Sequence, residues 1–72
     1  MRERTLDAKE IFELIVKADE KLKYATSGKQ DVRRAQAIEL LHRARTAALE
    51  IDNPALVLQA ETRLADLGEP VS

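Results

Sequence analysis

Glu39 and His42 stand three residues apart, the spacing at which a carboxylate and an imidazole share one face of a helix and can jointly hold a metal ion. A carboxylate-bridged two-metal centre of that kind needs a second such pair and further carboxylates turned into the core. The chain has one histidine and no cysteine, and Glu39 falls in the middle of the polar arc of its helix. The expectation is a solvated Glu39, a half-exposed His42, no metal and no cofactor. Ser27 lies in a turn and Ser72 at the terminus, and no glycine-rich loop could cradle a phosphate. Every Asp and Glu falls at a cap, on a polar arc or in a tail, away from the apolar pockets that tune a general acid or base. These residue types therefore point away from an enzyme.

Charge offers a second chemistry. The formal net charge is −1, yet residues 17–46 hold eight basic and four acidic side chains, while residues 47–72 set Arg63 alone against Glu50, Asp52, Glu61, Asp66 and Glu69. Arg33 and Arg34 fall in the first turn of the second predicted helix, where positive charge opposes the helix dipole. One compensation is that an antiparallel third helix brings Asp66 and Glu69 near them. The other is that Lys29, Arg33 and Arg34 meet phosphate, which would make the chain a small nucleic-acid-binding protein. The first is the stronger expectation, because a nucleic-acid reader usually carries an overall basic excess.

The elements that must position these residues follow from composition and periodicity. With 72 residues, and Phe12 and Tyr24 as the only aromatics, the core has to be aliphatic side chains and alanine, which suits closely spaced helices. The expected organisation is one helical domain over residues 1–72, with residues 1–6 and 69–72 as flexible ends. Met1 precedes Arg-Glu-Arg, and no apolar run approaches the ~18 residues of a spanning helix, so a cytoplasmic location without membrane contact is the default.

Leu6-Asp7-Ala8-Lys9-Glu10-Ile11 reads as a capping box, with Asp7 as cap, Glu10 reaching back, and Leu6 stapled onto Ile11. Ala8, Ile11, Ile15, Ala18, Leu22 and Ala25 then draw an apolar stripe that Phe12 and Leu14 widen. Ser27-Gly28 ends it. Asp31 is the expected cap of a second helix in which Ala37, Ile38, Leu40, Leu41, Ala44, Ala47, Ala48, Leu49 and Ile51 cover a little over half the circumference. Such a helix packs against two neighbours. Asn53-Pro54 restarts the chain as a third helix with Leu56, Val57, Ala60, Leu64 and Leu67 inward, stopped by Gly68. Gly28 and Gly68 are both expected at positive φ. The predicted fold is all-α, three helices over about residues 8–27, 32–52 and 54–67 in an antiparallel, up-down-up arrangement.

Ala37-Ile-Glu-Leu-Leu-His-Arg-Ala44 followed by Ala48-Leu-Glu-Ile-Asp-Asn-Pro54 resembles the second helix of a tetratricopeptide repeat, with residues 55–68 as the first helix of the next repeat. As second choice, the run Ala8 to Ala18 with Lys17-Ala18-Asp19, the Ala37 to Ala44 helix and Thr62-Arg63-Leu64-Ala65-Asp66-Leu67 resemble a microtubule-interacting and transport domain, a three-helix bundle. Both resemblances imply a protein-interaction module. Opposite the inward stripe of the third helix, Ala55, Leu58, Thr62 and Ala65 form an uncharged line flanked by Glu61, Arg63 and Asp66. The expected partner there is a protein helix or a second copy of the chain.

Overall fold

Three helices make up most of residues 5–23 and 30–69, the residues that the computed structural model describes: α1 (Ala8–Lys23), α2 (Gln30–Glu50) and α3 (Pro54–Asp66). There is no strand among them. α1 and α3 each pack along α2 and touch one another over a much shorter length. Arg34 and Arg45 of α2 reach Leu67 and Glu61 respectively, so α3 runs antiparallel to α2. Asp19 meets Arg63, so α1 and α3 run the same way. The fold is all-α and up-down-up. Among the described residues no helix is long and apolar enough to cross a membrane.

α1 opens on the expected reciprocal cap, with the Glu10 N–H donating to Asp7 Oδ1 at 2.8 Å and the Asp7 N–H to Glu10 Oε1 at 3.1 Å. Leu6 packs half-buried against the core, as do Leu14 and Leu22, around the fully buried Ile11, Ile15 and Ala18. Ala8 and Phe12 depart from expectation and are exposed, Phe12 by 48%. Phe12 lies roughly 100° round the helix from Ile11, and α3, which touches α1 only briefly, does not cover that flank. The predicted end of α1 at residue 27, Ala25, and the turn at Gly28 lie outside the described residues.

α2 begins at Gln30 rather than at residue 32, and Asp31 is therefore not its cap. Glutamine is a good helix former, so the helix starts ahead of the aspartate, whose carboxylate instead faces the positive end of the dipole from within the first turn. Ala37, Leu41, Ala44, Ala47 and Ala48 are buried, with Ile38, Leu40 and Ile51 packed partly against them. Leu49 was expected inward and is 53% exposed, because it sits on the outer edge of the arc that α3 covers. Six of the eleven buried apolar residues are alanines, namely Ala18, Ala37, Ala44, Ala47, Ala48 and Ala60. Side chains this short let neighbouring helices approach closely. No polar or charged residue is buried among the described residues.

α2 stops at Glu50, two residues earlier than residue 52, because Asp52 takes a φ of 56°. The Asp52 N–H then donates to Leu49 O at 3.1 Å and the Asn53 N–H to Ala48 O at 2.9 Å, the paired bonds that close a helix through a left-handed residue. Asn53 also starts α3, accepting from the Leu56 N–H at 3.2 Å through Oδ1, with Pro54 in the first turn. One residue thus ends α2 and caps α3. At the far end Gly68 has φ 81°, and its N–H and that of Glu69 donate to Ala65 O and Leu64 O, both at 2.9 Å. The same motif closes both helices, with glycine at one site and aspartate at the other.

Three variants test this account by thermal or urea unfolding. Leu41→Ala, at a completely buried position, is expected to cost about 2–5 kcal/mol. Asp52→Gly should stabilise by about 0.5–1 kcal/mol, since glycine reaches positive φ without strain. Gly68→Ala should destabilise by roughly 1 kcal/mol through backbone strain, because an added Cβ would meet nothing within 4 Å. A Leu41→Ala melt within a degree or two of the parent would remove α2 from the centre of the fold.

Candidate functional site

Ala55, Leu58, Thr62 and Ala65 are all exposed on the outer side of α3, Leu58 by 63%. Their spacing of three and four keeps them in one line along the helix. Leu56, Ala60 and Leu64 occupy the opposite side and are buried. Leu58 has a neighbour that sequence patterning assigned to the core: Leu49 of α2 lines the same shallow depression, together with Pro54, Val57, Asp52 and Glu61. The signal was present in the helical wheel, since Leu49 lies roughly 100° round from the buried Ala48. What the wheel lacks is how far round α2 the third helix reaches.

The flanks of this face are held by pairing within the chain. Arg45 Nε donates to Glu61 Oε2 at 2.7 Å, both side chains being about three-quarters buried (27% and 28% exposed). Arg63 Nε lies 2.9 and 3.1 Å from the two carboxylate oxygens of Asp19, and its Nη1 donates to Gln59 O at 3.2 Å. Pairs at this exposure contribute about 0–1 kcal/mol each. Their larger effect is to fix where the charged groups stand, leaving the line between them uncharged. Asp66, at the other edge, is exposed.

The basic start of α2 is resolved in a way the sequence did not anticipate. The Arg34 guanidinium donates from Nη2 to the carbonyl oxygen of Leu67, at the C-terminal end of α3. Its compensation is thus the negative end of a neighbouring helix dipole rather than the carboxylates of Asp66 and Glu69. Glu69 faces His42 instead, at 3.7 Å. Arg33 turns the other way and shares a cleft with Lys17 and Lys21 of α1. Lys29 lies outside the described residues. The structure therefore separates Arg33 from Arg34, two residues that the sequence read as one patch.

Glu39 and His42 are solvated, as their positions on the helix imply. Glu39 is 74% exposed and stands 3.9 Å from Arg43 one turn on, while the His42 side chain is 46% exposed beside Glu69. No group of three or more His, Asp or Glu side chains converges among the described residues.

The contact at Leu67 separates the two accounts of Arg34. Arg34→Gln should lower stability by about 0.5–1 kcal/mol, the size of a partly solvated charge at a helix end, whereas Asp66→Asn should leave the melting temperature unchanged. Equal loss in both variants would return the compensation to the carboxylate. Comparison of the chain with protein-family models, with curated proteins and with solved structures finds no match.

Proposed function

We propose that the chain is a protein-interaction module, and that the outer face of α3, extended by Leu49 of α2, receives an apolar helix from a partner protein. One observation carries this: Leu58 and Leu49, exposed by 63% and 53%, lie on one continuous depression with the uncharged line Ala55, Leu58, Thr62 and Ala65 running away from it. Small side chains admit close backbone approach, and a protruding leucine supplies an anchor. The resemblance of α2 and α3 to a tetratricopeptide repeat supports the same reading, since in such an array the next helix packs on this side.

The rim supports one chemistry for the partner. Asp52 lines the depression and Asp66 follows Thr62 and Ala65 along the face, and neither is in an ion pair among the described residues, so a second copy placed symmetrically would set acidic groups against acidic groups. A partner helix with lysine or arginine beside its apolar stripe meets them favourably. Nucleic-acid contact through Lys29, Arg33 and Arg34 has no comparable support, because Arg34 already serves the end of α3.

The test is a fluorescence titration with two amphipathic helical peptides of identical apolar stripe, one flanked by lysine and one by glutamate. The lysine peptide should bind at least about tenfold more tightly, a difference of roughly 1.4 kcal/mol. Leu58→Glu should abolish binding while leaving helix content and melting temperature unchanged. Unchanged binding by that variant, or equal affinity for both peptides, rules the face out. Loss of folding would place Leu58 in the core.

A further inference from the structure

The arginines on the described surface of this protein are for the most part matched. Arg45 pairs with Glu61, Arg63 with Asp19 and Arg43 with Glu39, and Arg34 is held by the Leu67 carbonyl. Among the lysines, Lys9 near the start of α1 is in no ion pair among the described residues, and the remaining unmatched cations gather in a cleft between the second half of α1 and the start of α2, lined by Lys17, Lys21, Arg33, Glu20 and Leu40. Lys21 and Arg33 are only partly exposed there. None of the three cations forms an ion pair among the described residues, and Glu20, which shares the cleft, is paired with none of them.

Three like charges from two helices are brought together where the fold does least to neutralise them. Lys17 and Lys21 are one turn apart and so project from the same side of α1. Arg33 faces them from the first turn of α2, where the helix dipole already favours negative charge. Asp31, the acidic residue of that turn, lies roughly 160° round α2 from Arg33 and cannot serve it. Repulsion of this kind is relieved when a multivalent anion enters, and lysine with arginine is the usual pairing for phosphate oxygens.

We infer that this cleft binds a compact phosphate group carrying at least two negative charges, such as a diphosphate or a phosphate monoester, with Arg33 and the two lysines as its contacts. The ligand is compact because the cations number three. A duplex-binding surface typically contacts roughly 6–10 phosphates, and this chain has a net charge of −1. The site is independent of the α3 face, which lies on a different pair of elements.

The experiment is an amide-shift titration of the protein with pyrophosphate in a phosphate-free buffer, beside a parallel titration with a short DNA duplex. Saturable shifts centred on Lys17, Lys21, Arg33 and Leu40 are expected, weakened about tenfold by Arg33→Gln and lost in the Lys17→Gln, Lys21→Gln double variant. These exposed or partly exposed substitutions should leave helix content unchanged, and circular dichroism of each variant checks it. The Leu58→Glu variant should bind pyrophosphate like the parent. No saturable response at millimolar pyrophosphate, an undiminished response in the double variant, or a tighter response to the duplex at the same residues would each overturn the proposal, the last in favour of a nucleic-acid surface.

Discussion

Alanine on α2 is the constraint from which the remaining geometry follows. Ala37, Ala44, Ala47 and Ala48 leave the helix nearly smooth over more than one side, so two neighbours can both lie close to it. Large side chains fill the remaining space at few points, with Ile11 and Ile15 coming from α1, Leu41 from α2 and Leu64 from α3. In a chain of 72 residues that economy matters, because a small domain buries a small fraction of its surface and has little stability to spare. The same arrangement has a consequence at the surface. With α2 central, α1 and α3 meet only briefly, and side chains on their outer flanks, Phe12 and Leu58 among them, are left without cover.

The join between α2 and α3 shows how little chain is needed to reverse direction. Asp52 accepts a left-handed conformation that glycine adopts more easily, and Asn53 completes the closing bonds of one helix while capping the next. Strain at one residue is offset by several backbone groups that would otherwise lack partners. A turn so short fixes the antiparallel course of α3, and with it the positions of Leu49 and Leu58 on one surface.

The uneven charge of the chain is sorted by the fold into local pairings rather than one broad field. Arg45 and Arg63 are matched to carboxylates on other helices. Arg34 is matched to the end of a helix dipole. Acidic groups gather beside the apolar line of α3, while Lys17, Lys21 and Arg33, which form no ion pair among the described residues, gather between α1 and α2. Net charge gives no hint of this division, since the opposing excesses cancel in the total.

Helix identity, the reciprocal cap at Asp7 and Glu10, the Asn53-Pro54 start and the positive φ of Gly68 were legible in the residues, because each depends on groups within about four positions along the chain. The exposed line on α3 was legible for the same reason, being a matter of helical period. The sequence did not reveal that Phe12 and Leu49 remain uncovered, that Arg34 turns to the Leu67 carbonyl, or that Lys17, Lys21 and Arg33 share a cleft. Each of those is decided by how far one helix extends round another, a quantity set by packing between residues far apart in the chain. Periodicity determines which residues share a face, and only tertiary contact determines which faces are covered.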